Sequence, residues 1–533
     1  MAYQTPIYLF LFLPLAILCY AVCPQKHRWK VLLIFSYLFF YSVSRKLLVY
    51  LIGTTVLTHY IGLWLELLRA ECKGAVKGLD HDTKKQVKEQ YTRKERGVLL
   101  CGVIILLAVL AYLKYFNFFA ISLSQLSMKK GWGFQISARD IAVPLGISFY
   151  TLQALGYMID VYRGTIPAEK NLGKLGLFLG FFPQIMEGPI CRYGETAQAL
   201  FAGAPVAGEN LRFGIQRILW GLFKKFVIAD RLNILVKTVF EAPDTYGGVV
   251  VIAAAISYTI QLYMEFSGAI DIVIGSAQIF GVKMPENFRQ PFFSKNASEF
   301  WRRWHISLGA WFRDYIFYPV SMSKLMKKWN KFGRTHVGEY GTKIVLTVVA
   351  LFPVWFCNGL WHGANWTYLF YGMYYFVIIS MENILEPVTD AVLHRLHVAK
   401  DNKIYRGLQI AKTLVIIFTG EMFFRADSVQ IGRTMFLNIF RKFSLTQLWD
   451  GTLLTLGMDG HDFIIVLAGT LIVLAADILK EKGICLRKKI ALQKLPVRWC
   501  IYYAAIFMVI IFGAYGAGYQ PVDLIYAGFQ EEL

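Results

Sequence analysis

The chain has 533 residues, 56% hydrophobic and only 17% charged, which is too little polar surface for a soluble protein of this length. Its formal charge of +21 would suit a nucleic-acid binder, but the lysines and arginines gather between apolar runs, so membrane lipid and no nucleic acid is expected around it. Eight cysteines scattered without a Cys-x-x-Cys pair argue against a disulfide framework or a zinc site, and no metal is expected.

Taken in chain order, the first apolar run is 6–22. No basic segment precedes it, so it reads as a retained anchor rather than a cleaved signal peptide. Lys26, Arg28 and Lys30 follow it, which puts the N-terminus outside by the positive-inside rule. A lysine-rich loop with Arg69, Lys73, Lys77, Lys84, Lys85, Lys88, Arg93, Lys94 and Arg96 then leads to the apolar run 98–119. Residues 1–130 form a zone of N-terminal spans. The middle zone, 140–381, concentrates proline, glycine, tryptophan and intramembrane charge. Within it, 181–190 cannot be one helix, because Pro189 lacks a backbone donor and disfavours helix at Gly188. Broken backbone at membrane depth implies a lined cavity or funnel nearby.

The run 249–264 is followed by 296–308, which reads as a helix capped by Asn296 with Glu299 closing a capping box. Phe300, Trp304, Ser307 and Trp311 then share one face, and Glu299 can pair with Arg303. Further runs lie at 344–356 and 368–380. The third zone, 382–533, returns to plain spans at 413–424, 463–476 and 501–513, with a basic loop from Lys480 to Arg498. The expectation is an all-α integral membrane protein, one polytopic domain over 1–533, with roughly eleven membrane elements. Several are shorter than the ~20 residues of a straight span and must be tilted or re-entrant. The membrane expected is a cell membrane, crossed many times.

Two histidines stand in stretches too apolar to carry them without a use. His305 follows Phe300-Trp301-Arg302-Arg303-Trp304, and His362 follows Asn358-Gly359-Leu360-Trp361. An ionisable side chain at membrane depth is a functional candidate by default, and an imidazole, with a pKa of about 6.5, suits proton transfer near neutral pH. Glu265 and Asp271, six residues apart, do not share a helical face, so a shared two-carboxylate site is not expected, and they are expected to pair with arginines of the core. Ser267 and Ser307 lack a Gly-x-Ser-x-Gly elbow. No P-loop, dinucleotide fingerprint or metal-ligand spacing occurs.

The stretch 258–319, with Gln261-Leu262-Tyr263, Pro285-Glu286-Asn287-Phe288, Phe300-Trp301-Arg302-Arg303-Trp304-His305 and Arg313-Asp314-Tyr315, closely resembles the membrane-bound O-acyltransferases. Within them it is similar to the membrane subunit of bacterial polysaccharide O-acetylation systems, typified by alginate O-acetyltransferase. Phe149-Tyr150-Thr151, Asp160-Val161-Tyr162-Arg163-Gly164, the pieces from Pro183 to Ile190, Asn358 to Ala364, and the tail 515–521 carry the same resemblance. Two positions depart from that pattern: Glu187 is a carboxylate where an uncharged residue is expected, and 523–529 lacks an aromatic-rich ending. Both bear on the acceptor.

The resemblance implies a helical fold around a funnel, with His362 at the catalytic position and His305 at the second signature position. His362 is then a general base for acyl transfer from a thioester to a hydroxyl. Asn358, one helical turn earlier, would orient the ring, stabilise the oxyanion or cap a broken helix. Arg302 and Arg303 would meet a donor phosphate or simply anchor and pair, and Trp304 and Trp361 are candidate supporting residues. No cofactor is expected to stay bound. The donor expected is acetyl-CoA or another acyl thioester, including an acyl carrier protein, on the cytoplasmic side. The acceptor is a polysaccharide or a secreted or membrane-anchored acetyltransferase partner. D-alanyl transfer to teichoic acid, a proton-coupled transporter and a structural scaffold are the alternatives.

Overall fold

A computed structural model describes residues 2–515. The tail stretches 516–521 and 523–529 lie outside the described residues. The described chain is helical, and its one β feature is an isolated antiparallel bridge between Phe288 and Trp304. Among the described residues, seven segments are long and apolar enough to cross a bilayer. The expected count of roughly eleven includes shorter apolar pieces, of which Ile7–Val22 is one. The described chain divides into two compact units, 2–215 with 273–285 and 216–272 with 286–515.

In the first unit, Leu48–Ala75 leads to a 50-residue helix, His81–Lys130. At 1.5 Å per residue the latter is about 75 Å long, well beyond a bilayer core. Asp80 caps it by accepting from the backbone N–H groups of Asp82 and Thr83, both at 3.1 Å, and Gly131 ends it in the left-handed conformation at φ +72°. Most of the expected lysine-rich loop is therefore helix. Its Lys, Glu, Gln and Arg residues are strong helix formers, and the apolar half beyond Val98 extends the same helix. Between Leu172–Gly180 and Tyr193–Phe201 the chain is irregular, as Pro189 requires. Its polar backbone is satisfied from inside: the Tyr3 hydroxyl donates to the Phe182 carbonyl at 2.9 Å and accepts from the Met186 N–H at 3.2 Å. Glu187 is buried in this stretch.

The second unit is organised by buried charge. A wide-turn π-helical stretch, Phe223–Ala229, directs two adjacent lysines inward. Lys224 reaches Asp271 at 2.6 Å and Ser267 at 2.7 Å, while Arg217 holds the other Asp271 oxygen at 2.8 Å. Lys225 pairs with Glu265 at 3.0 Å and Asp230 at 2.8 Å. Asp271 thus takes an arginine, as expected, together with Lys224, whereas Glu265 pairs with Lys225 and not with an arginine, because the π-helical stretch turns both lysines inward. A Cβ on Gly221 would sit 2.4 Å from the Gly268 carbonyl oxygen, so only glycine allows these backbones to meet this closely. A second glycine contact joins Gly338–His362 to Trp366–Arg395. A Cβ on Gly359 would lie 2.6 Å from the Tyr368 carbonyl oxygen, and one on Gly372 would lie 2.3 Å from that of Trp355.

Candidate active site around two imidazoles

His362 is the last residue of Gly338–His362, where Gly363 carries the chain out of the helix. A Cβ on Gly363 would meet the Tyr368 ring at 2.4 Å, so the turn depends on its small size. Asn365 restarts the chain by accepting from the Thr367 N–H at 3.0 Å, at the head of Trp366–Arg395. The resulting hairpin folds Tyr368 and Tyr371 back toward the imidazole. Their ring centroids lie 6.5 and 5.8 Å from that of His362, and Phe424 approaches edge-on at 5.0 Å. The ring is 6% exposed and enclosed by protein rather than turned outward to lipid.

His305 is placed differently from the sequence expectation. Residues 296–308 are not one helix: Ala297–Arg303 ends, Trp304 is extended, and Ile306–Phe312 begins anew. The break is imposed by backbone pairing with a distant segment. The Arg289 N–H donates to the Arg303 carbonyl at 2.9 Å, and the Ile306 N–H donates to the Asn287 carbonyl at 3.0 Å. The buried Asn287 side chain caps the second piece, accepting from the Ser307 N–H at 2.9 Å. His305 itself sits at φ +47°, a left-handed conformation uncommon for a residue with a side chain and concentrated at functional sites. The expected common face of Phe300, Trp304, Ser307 and Trp311 does not form as one stripe. Asn296 caps as predicted, at 2.7 Å from the Glu299 N–H, but Glu299 reaches back to the Lys295 N–H instead of closing the box on Asn296.

The strained turn delivers the second imidazole to the first. His305 packs edge-on against the Trp361 indole at 5.2 Å, and the same indole meets His362 at 5.0 Å. Phe266 covers the other side of His305 at 4.9 Å. His305 is 2% exposed and lies outside the seven long apolar segments. Burial pushes its pKa down to about 3, so it is neutral and can offer an N–H or a lone pair but not a charge.

The remaining candidates separate into near and far. Trp361 stands between the two histidines. Asn358 is buried one turn before His362, and its Oδ1 has no hydrogen-bond partner among the described residues. Trp304 is buried in an aromatic floor with Phe288 at 5.1 Å and Phe300 at 5.4 Å. Arg303 is engaged by Glu299 and Glu481, each at 2.8 Å. Arg302 touches Ser298 at 2.8 Å and otherwise remains exposed.

One residue of this neighbourhood escaped the sequence reading. Glu421, in Lys403–Arg425, is 1% exposed and accepts a hydrogen bond from the Tyr371 hydroxyl at 2.7 Å. Its signal was a single carboxylate inside the run 413–424, which was read only as a plain span.

The family model described as MBOAT, membrane-bound O-acyltransferase family, matches residues 171–337, a range that contains His305 but not His362. The "Probable alginate O-acetylase AlgI" of Pseudomonas aeruginosa is 31% identical over 440 residues, covering 83% of this chain and 75% of that one. The "Peptidoglycan O-acetyltransferase" of Helicobacter pylori is 26% identical, over 73% of this chain and 71% of its own. The "Teichoic acid D-alanyltransferase" of Bacillus subtilis is 31% identical over 45% of this chain and 59% of its own. With the seven long apolar helices, these similarities make the protein a membrane acyltransferase. The chain belongs to the membrane-bound O-acyltransferase family.

Proposed function

We propose that this enzyme moves an acetyl group from a cytoplasmic thioester, acetyl-CoA, to a hydroxyl on the far side of a bacterial inner membrane. The acceptor is an extracytoplasmic polysaccharide or a secreted acetyltransferase partner that then modifies the polymer. The observation that carries the reading is the pair of buried imidazoles against one indole, inside an aromatic enclosure. His362 takes the proton of the attacking hydroxyl as its oxygen bonds to the thioester carbonyl carbon. His305 and Asn358 stand as candidate hydrogen-bond donors to the developing oxyanion. When the carbon–sulfur bond breaks, the thiolate leaves with the proton that His362 holds, and the base is restored.

The relatives named for alginate and peptidoglycan O-acetylation match 73–83% of this chain, against 45% for the D-alanyl transferase, and this favours acetyl over D-alanyl transfer. The test is mass spectrometry of the surface polymer from cells with the protein, without it, and with His362→Ala. Acetyl esters should be present in the first and absent from the other two. D-alanyl esters in their place would redirect the donor. Esters that persist in the His362→Ala cells would overturn the site.

A further inference from the structure

The buried carboxylates of the second unit are nearly all spoken for by cations. Asp271 has Arg217 and Lys224, Glu265 and Asp230 share Lys225, and Asp477 has Lys480 at 3.5 Å. Glu421 is the exception: among the described residues no cation pairs with it. Arg425, one turn further along the same helix, turns instead to Asp427 at 3.7 Å and to the Phe240 ring at 5.6 Å. Besides Tyr371, its titratable neighbours are Tyr258, Tyr374 and Tyr375. The second carboxylate oxygen is buried with no hydrogen-bond partner among the described residues. A lone carboxylate in an apolar enclosure is costly, and such groups persist where they act on something.

What it acts on is in contact with His362. The Tyr371 hydroxyl donates to Glu421, and the Tyr371 ring meets the His362 ring at 5.8 Å with an interplanar angle of 87°. Phe424, three residues after Glu421 on the same helix, packs against both rings, at 5.0 Å from His362 and 4.7 Å from Tyr371. One helical turn of Lys403–Arg425 thus supplies a carboxylate that fixes Tyr371 and an aromatic edge that fixes His362.

We infer that Glu421 is a positioning residue for the acyl transfer, acting through Tyr371 on His362. The inference rests on the function proposed above. Tyr371, pinned by its hydroxyl, holds the imidazole in the orientation that receives the acceptor proton. Neither group bonds to substrate. Their effect falls on the chemical step and leaves donor binding alone.

The test uses full-length protein in lipid nanodiscs, acetyl-CoA as donor and a short acetylatable oligosaccharide as pseudo-acceptor, with CoA release followed against time. His362→Ala is measured first. If it retains activity, the functional reading fails before this inference is reached. With His362→Ala inactive, Tyr371→Phe and Glu421→Leu, each of which deletes the hydrogen bond between them, are each expected to lower kcat by at least tenfold while KM for acetyl-CoA stays within twofold. The double variant should be no slower than the slower single one, because both changes remove the same support. Tyr374→Phe is the control. It deletes a similarly placed hydrogen bond, from the Tyr374 hydroxyl to the Ile416 carbonyl of the same helix at 2.9 Å, and should leave kcat unchanged. The inference is overturned if either single variant keeps wild-type kcat, if KM rises in place of a kcat loss, if the two effects multiply, or if Tyr374→Phe costs as much. Should Glu421→Leu not fold, Tyr371→Phe against Tyr374→Phe decides the matter alone.

Discussion

Replacing Gly372 with alanine tests whether the active site is positioned by a helix contact remote from the chemistry. The added Cβ would lie 2.3 Å from the Trp355 carbonyl oxygen, 3.1 Å from the Gly359 nitrogen and 3.2 Å from the Gly359 Cα. All three are backbone atoms, so no side chain can rotate to make room. Ordinary contact with the oxygen needs roughly 1 Å more, and Gly338–His362 and Trp366–Arg395 must part by about that much. Overpacking of this kind costs ~1–3 kcal/mol. More tellingly, His362 and Tyr371 sit on opposite sides of the contact, and a displacement of about 1 Å at reacting groups costs on the order of 10² in rate. In nanodiscs, Gly372→Ala should lower CoA release from acetyl-CoA roughly 10- to 100-fold, with a lowered melting temperature. Gly53→Ala, where the new methyl meets nothing within 4 Å, should instead be neutral or stabilising by ~0.5–1 kcal/mol. A Gly372→Ala protein with wild-type turnover and melting would refute the argument that this contact sets the geometry.

Two further predictions concern charge. Lys225→Met leaves Glu265 and Asp230 as uncompensated buried carboxylates and should cost ~3–5 kcal/mol, read as a large fall in thermal midpoint; an unchanged midpoint would mean the pairs contribute nothing. His305 is held neutral in the fold, with its pKa lowered to about 3, whereas the unfolded chain titrates near 6.5. The unfolded state therefore binds the extra proton between those values, and stability should be full above pH 6.5 and decline as pH falls toward 3. His305→Gln should flatten that slope by about one proton, and a slope identical to wild type would show that His305 is not buried neutral.

The all-helical class and the two imidazoles were legible because hydropathy and an ionisable residue in an apolar run are local properties. Asn296 was legible as a cap for the same reason. The break at Trp304–His305 was not, since residues 296–308 carry the periodicity of one helix. What divides them is pairing with Asn287 and Arg289, a tertiary event that no spacing within the segment announces. The lysine-rich stretch misled in the opposite direction: charge suggested a loop, whereas helix propensity and the Asp80 cap carried the helix through it. Glu421 was visible as a residue but not as a participant, because its partner Tyr371 lies 50 positions away on another helix.

The central claim is that the imidazole of His362 performs the proton transfer. Wild-type and His362→Ala proteins, matched for folding by melting temperature and reconstituted with acetyl-CoA and an oligosaccharide acceptor, test it most directly. Transfer by the variant should be about 10²–10⁴ times slower with donor affinity unchanged. A folded His362→Ala protein that transfers acetyl groups within twofold of the wild-type rate would contradict the account.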